Sequence, residues 1–286
     1  MSQICILTDN TAQFISPVFP GHELVSLIPL RVQLGERPGS EGTEIKTSHL
    51  PVTLEKGVTP ILNPPSVEGF SQTFLTLGRK YREIVAILIS SHLSSTIAQA
   101  QEAASTVKCG AMIHIIDSQT TAVGLGLLVQ AAAEAAERGI SGIKISRLVR
   151  SLIPRVYTVF CVQSLTYLAC SGHLDPAQAI IGEMLGVTPF LILENGRLVP
   201  IQKVRSSRHL VDLLHEFISE FTNLKHIALL QGVPPFEQEV RNLRERINVG
   251  FPAMPLTEHT LNPALASIIG PRSLGVVVME HCSDEI

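Results

Sequence analysis

Glu83-Ile84-Val85-Ala86-Ile87-Leu88-Ile89-Ser90, running on into Ser91-His92-Leu93-Ser94-Ser95-Thr96, is the stretch on which the fold turns. An almost unbroken apolar run of this length suits a strand buried on both faces, as in a parallel sheet covered by helices. The hydroxyl-rich segment after it is a strand-to-helix turn, and a helix is predicted from about Ser95 to Val107. Reading outward, Ile4–Thr8 and Met112–Asp117 are further strands, and Glu23–Leu34 holds another, interrupted at Pro29. Pro60, Pro64 and Pro65 form a bend that opens a helix at Ser66–Leu77, and Thr121–Arg138 is a helix ended by Gly139. Strands separated by helices imply βαβ units and a mainly parallel sheet.

The second half has a different texture. Thr158–Val162 is a strand, Ser164–Ala169 a short helix, and Pro176 opens a helix that runs to Leu185 and stops at Gly186. Phe190–Leu193, Asn195-Gly196 and Leu198–Val204 read as a hairpin, because both turn residues tolerate positive φ. Helices follow at Ser206–Phe221, Phe236–Ile247 and Asn262–Ile269, with strands at Ile227–Leu230 and Gly275–Met279. The fold class is therefore α/β with two α/β domains, the first with a mainly parallel sheet and the second with a mixed sheet and a hairpin. The boundary falls near Pro154, giving domains of 1–155 and 156–286.

Composition narrows the function. The chain has 286 residues, 45% of them hydrophobic and 16% charged, with a net charge of −3. Average chains are about 25% charged. Without clustered cations to displace counterions from phosphates, a nucleic-acid partner is excluded. So apolar a chain buries enough surface to fold rather than stay disordered. No stretch approaches the roughly 20 apolar residues of a membrane span, and the N-terminus lacks the basic-then-apolar order of a signal peptide. Cys5, Cys109, Cys161, Cys170 and Cys282 are odd in number and widely spaced, as expected of reduced thiols in a cytoplasmic protein.

The turn is also where chemistry is expected. Ser90, Ser91, Ser94, Ser95 and Thr96 crowd the carboxyl end of a buried strand, where open α/β sheets bind ligands. A helix N-terminus favours an anion, and five hydroxyls exceed what capping alone needs. Asp9-Asn10-Thr11 and Asp117-Ser118-Gln119-Thr120-Thr121 form similar turns, which meet on one rim if their strands are neighbours. Asp9 reads as an orienting carboxylate. No G-x-S-x-G elbow accompanies His92, so hydrolysis is not supported. Scattered histidines without HxxxH and the absence of GxxxxGK[ST] leave no metal, cofactor or nucleotide site.

These segments resemble the DegV family of fatty-acid-binding proteins over nearly the whole chain. Thr8-Asp9-Asn10-Thr11-Ala12 is similar to TDSTA, Pro65 to Phe70 to the end of TSQPSPxxF, and Ser90 to Ala100 to SSxLSGTYxxA. Asp117-Ser118 through Gly124-Leu125-Gly126 matches DS…GLG. Leu165 to Leu174 is similar to L-x-YLxxGGRI, Lys203-Val204-Arg205 to K-x-R, and Gly270-Pro271 to part of HxGPG. The resemblance implies a non-enzymatic carrier that holds a long-chain fatty acid between two domains and, in some members, presents its carboxylate to a fatty-acid kinase. It implies carboxylate binding at Ser91, Ser94, Ser95, Thr96 and Asn63. Apolar residues of the second half, Phe160, Leu165, Leu168, Ile180, Ile181, Met184 and Leu185, are the candidate acyl-chain lining, with His173 and Arg205 at the pocket mouth. The sequence departs from the pattern at Leu62, at His173 (arginine in the family) and at Ile269 (histidine in the family), positions that bear on kinase presentation. The alternative is a regulatory or interaction protein on the same fold with no obligatory lipid; an enzyme acting on a small anion at the same rim is a third.

Overall fold

A computed structural model describes residues 4–35, 45–54 and 58–281. In chain order the elements are β1 (Ile4–Asp9), β2 (Val25–Ile28), β3 (Arg31–Leu34), β4 (Pro60–Asn63), α1 (Val67–Gly78), β5 (Glu83–Leu88), α2 (Thr96–Thr106), β6 (Met112–Asp117), α3 (Ala122–Glu137) and α4 (Gly142–Leu152). They continue with β7 (Val156–Val162), α5 (Leu165–Cys170), α6 (Pro176–Met184), β8 (Thr188–Glu194), β9 (Arg197–Val204), α7 (Ser207–Ser219), β10 (Leu224–Gln231), α8 (Glu237–Gly250), β11 (Leu256–Thr260), α9 (Pro263–Ile269) and β12 (Ser273–Glu280).

The chain divides into two compact units. One comprises Met1–Arg31, Asn63–Pro154 and Asn195–Arg197, the other Val32–Leu62, Arg155–Glu194 and Leu198–Ile286. These are not the contiguous ranges 1–155 and 156–286, because the excursion Val32–Leu62 packs with the second unit. Thr47 Oγ1 donates to the Leu261 carbonyl at 2.5 Å, and the Tyr167 hydroxyl to that of Pro51 at 2.6 Å. Nothing in the local composition of 32–62 announces such long-range bonds.

In the first unit, β2-β1-β5-β6 form an all-parallel sheet. β5 sits inside it, and Ile84 to Ile89 are fully buried, which explains the apolar run. Cys5, Leu7, Ala86 and Leu88 pack on one face with Phe70 and Phe74 of α1 and Ile97 and Ala100 of α2. Ser66 caps α1, its hydroxyl accepting from the Gly69 N–H at 3.1 Å. The opposite face is covered by α3, whose Gly126 lies so close to the chain after β1 that a Cβ there would stand 2.0 Å from the Gln13 carbonyl oxygen. Close packing is what requires glycine at this point of the helix.

The second unit is built on a six-stranded mixed sheet, β11-β10-β12-β7-β8-β9. β10 and β11 are parallel, while β10–β12, β12–β7 and β7–β8 are antiparallel. Val159, Cys161, Ile227, Leu229, Val276 and Val278 pack from it against Leu210, Leu214 and Phe217 of α7 and Val240, Leu243 and Ile247 of α8.

Three elements were not expected. β4 begins at Pro60, within the stretch whose prolines predict a bend, because a two-stranded ribbon with β3 tolerates proline at a strand start. β11 is a half-exposed edge strand with little apolar content, held by its parallel register with β10. α4 buries Ile145, Val149 and Leu152 at helical spacing. Cys5 and Cys161 are buried free thiols, and burial pushes Cys161 up to about 12; Cys109 and Cys170 are also free, and Cys282 lies outside the described residues.

Candidate functional site

Parallel register puts the carboxyl ends of β1, β5 and β6 on one rim, with Thr8 opposite Ile87 and Leu88 opposite Asp117. The three polar turns therefore meet. Asp9 is fully buried; its Oδ1 accepts from Thr11 N at 3.0 Å and Thr11 Oγ1 at 2.5 Å, and its Oδ2 from Ile89 N at 2.7 Å. Burial pushes its carboxyl up from the usual carboxylate range, against the pull of those donors. Both oxygens are thus engaged by the turn after β1 and the end of β5. Asp117 does the same from the other side: its Oδ1 accepts from Ser91 N at 3.3 Å and Gln119 N at 2.9 Å.

Within the turn, Ser90 is the organising residue. Its N–H donates to the Thr120 carbonyl, and its own carbonyl accepts from Leu93 N at 3.0 Å and Ser94 N at 3.1 Å. Ser90 Oγ accepts from His92 N at 3.2 Å and donates to the Gly196 carbonyl at 2.8 Å. Its one proton is thereby committed, leaving none to donate to an anion.

The other four hydroxyls differ. Ser91 and Ser95 are exposed, and Ser95, the N-cap of α2, makes no side-chain capping bond. The first N–H groups of α2 thus lack the acceptor that a capping serine would normally supply. Ser94 Oγ and Thr96 Oγ1 lie 2.8 Å apart. Two hydroxyls joined by one hydrogen bond hold one proton between them and keep one to donate outward. Ser94 is half-buried and Thr96 is 0% exposed, so Ser94 is the outward donor. An oxyanion at this corner would meet Ser94, the Ser91 and Ser95 hydroxyls and the positive end of α2. His92, between these hydroxyls, has its Nε2 accepting from Arg197 Nε at 3.2 Å.

The remaining expected residues fall elsewhere. Asn63 ends β4, half-buried, and makes none of the hydrogen bonds of the turn. His173 Nδ1 is 3.0 Å from Ser171 Oγ, in the turn after α5. Arg205 is exposed after β9, its N–H donating to His209 Nδ1. Phe160, Leu165 and Leu168 are buried in the second unit. Ile180 (62% exposed), Ile181, Met184 (82%) and Leu185 are not: they form an exposed apolar face of α6. The inward side of α6 is formed by Ala179 and Gly182, Gly182 lying so close to Leu165 that a Cβ would come within 2.3 Å of its Cδ1.

A concavity of about 390 Å³ lies within the second unit between Ser164, Thr166, Glu183, Gly270, Pro271 and Arg272. Glu183 Oε1 accepts there from Leu165 N at 2.7 Å and Thr166 N at 3.2 Å. A carboxylate already fills the anion position at the start of α5, so this cleft offers a second anion nothing comparable to the Ser91–Thr96 turn. Among the described residues no cluster of three His, Cys, Asp or Glu could hold a metal ion, and no helix is long and apolar enough to cross a membrane.

Sequence reasoning placed the hydroxyl turn but missed Gly196 and Arg197 as its neighbours. Asn-Gly signalled the hairpin; nothing local signalled what its turn would touch.

A family model described as "Uncharacterised protein, DegV family" matches residues 3–281. The chain is 29% identical over 277 residues to a DegV domain-containing protein of Streptomyces coelicolor, spanning 96% of this chain and 98% of that one. Its fold is similar to that of a DegV family protein from Thermus thermophilus described for its fatty acid binding (24% identity, TM-score 0.79, 98% of this chain and 100% of that one). It is also similar to a DegV family protein from Eubacterium eligens loaded with heptadecanoic acid (14% identity, TM-score 0.79, 97% of this chain and 100% of that one). The ordered blocks from Thr8 to Pro271, the two sheets and the match over almost the entire length converge on one conclusion: the chain belongs to the DegV family.

Proposed function

We propose that this protein is a non-enzymatic carrier of a long-chain fatty acid, whose carboxylate is received at Ser91, Ser94, Ser95 and Thr96. The observation that carries the proposal is the Ser94–Thr96 hydroxyl pair at the side-chain-uncapped start of α2, with one donor proton to spare. A C16 chain carries about 14 methylenes, and burying each is worth about 0.8 kcal/mol, which outweighs the cost of immobilising it. The charged end cannot be buried unpaired. Neutral hydroxyls and helix N–H groups satisfy it without a salt bridge.

The fatty acids of the Thermus and Eubacterium relatives support the ligand class. Presentation of the acid to a partner kinase is a finer reading that the departures at His173 and Ile269 do not favour: the histidine is tied to Ser171, and Ile269 is fully buried. Confinement to the cytoplasm follows the reduced thiols and is part of the same proposal. The test is denaturing extraction of the purified protein followed by mass spectrometry, and palmitate titration of the delipidated protein. A co-purified acid and saturable binding are expected. A clean extract with no binding favours the regulatory or interaction reading, and turnover of a small carboxylate or phosphate by the protein alone favours an enzyme.

A further inference from the structure

The turn Asn195–Arg197 belongs to the first unit. Asn195 and Gly196 have φ of 48° and 81°, both in the left-handed region, as a two-residue hairpin turn that follows strand twist requires. Gly196 is constrained a second time. A Cβ there would stand 2.3 Å from Ser90 Oγ and 3.2 Å from Gln119 Cα, so only glycine lets the turn approach.

What the turn gives the loop is direction. A serine hydroxyl has one proton and rotates to suit its surroundings. At Ser90 that proton goes to the Gly196 carbonyl at 2.8 Å, which aims an oxygen lone pair at His92 N. Arg197 acts one residue further along: its Nε can only donate, so the 3.2 Å contact requires a lone pair on His92 Nε2 and fixes the orientation of the ring. Two consecutive residues of the turn thus grip two residues of the loop, Ser90 and His92, immediately before Leu93 and Ser94 fold back onto the Ser90 carbonyl.

We infer that the Asn195–Arg197 turn is the positioning element of the hydroxyl-rich loop, with Gly196 and Arg197 as positioning residues that hold Ser91 to Thr96 in the form that receives a head group. The inference rests on the head-group reading above. Neither residue touches the ligand in this arrangement; each acts through a side chain of the loop.

The test separates the inference from the reading beneath it. Amide hydrogen exchange of the unliganded protein is measured for wild type, Arg197→Ala, Arg197→Lys, His92→Gln and Gly196→Ala, together with palmitate affinity. In Arg197→Ala, exchange at His92, Leu93 and Ser94 rises at least fivefold while Val85 to Leu88 of β5 keep their wild-type rates, and palmitate affinity falls at least threefold. Arg197→Lys and His92→Gln, which keep a donor and an acceptor respectively, recover most of both. Gly196→Ala loses both. Unchanged loop exchange in Arg197→Ala and Gly196→Ala overturns the inference even if palmitate binds. Absence of palmitate binding by the wild type overturns the head-group reading even if loop exchange responds, and the exchange result still decides the role of the turn.

Discussion

The Ser94–Thr96 pair makes a prediction that independent contacts would not make. The two oxygens are 2.8 Å apart and either can donate to the other; with Thr96 wholly buried and Ser94 half-buried, a carboxylate arriving from solvent selects the arrangement in which Thr96 donates to Ser94 and Ser94 donates outward. Ser94→Ala removes the outward donor and orphans the Thr96 proton. A hydrogen bond to a charged acceptor is worth about 1.5–3 kcal/mol, so carboxylate affinity falls about ten- to hundredfold. Thr96→Val keeps the shape and leaves Ser94 free to donate; only the polarising partner is lost, at about 0.5–1 kcal/mol. The double variant matches Ser94→Ala rather than the sum, because Thr96 acts only through Ser94. Calorimetric titration with palmitate over the four proteins measures this directly, and the methyl ester serves as a control that all four bind alike. Losses of equal size that add in the double variant would refute the donor chain. So would a loss for the ester as large as for the acid.

Other predictions concern fold and surface. His226 is 4% exposed, its Nε2 2.9 Å from Thr257 Oγ1, and burial lowers its pKa from 6.5 to about 4, helped by His259, whose Nε2 meets the same hydroxyl at 3.0 Å. Between those values the unfolded chain takes up a proton that the fold refuses. The contribution of His226 is therefore complete above pH 6.5 and lost as pH falls toward 4, by at most about 3 kcal/mol. Urea melts of wild type and His226→Gln at pH 7.5 and 5.0 should show a smaller pH difference in the variant; equal differences would exclude His226 as the cause. Gly126→Ala drives a Cβ against backbone rather than a movable side chain, so it should cost about 1–3 kcal/mol in denaturant melts. A neutral result would mean that α3 has room to shift. Ile181→Lys with Met184→Lys changes two exposed residues and should leave both stability and palmitate affinity within about 0.5 kcal/mol. A collapse of affinity alone would assign the exposed face of α6 to the acyl-chain lining.

Local residue patterns were enough to specify the character of the strands and to single out the hydroxyl-rich turn after β5. The run Ile84–Ile89, short and rich in β-branched residues, reads as a doubly covered strand, and all six residues are fully buried. The serines after it marked a helix start rich in donors, and Asn195-Gly196 marked a hairpin through its own backbone preferences. Those signals are local. They arise from periodicity, capping and allowed φ, which neighbouring residues settle among themselves.

Only the tertiary structure decided the rest. That Asp9, Asp117 and the hydroxyl turn share one rim depends on the order β2-β1-β5-β6. That α6 turns its four large apolar residues outward depends on how closely Gly182 approaches Leu165. That Val32–Leu62 packs with the second unit depends on bonds such as Thr47 to Leu261, and that Ser90 is spoken for depends on Gly196, over a hundred positions away. Each of these is a contact between residues distant along the chain. Residue type sets what such a contact would be worth, but which partners meet is a property of the folded whole.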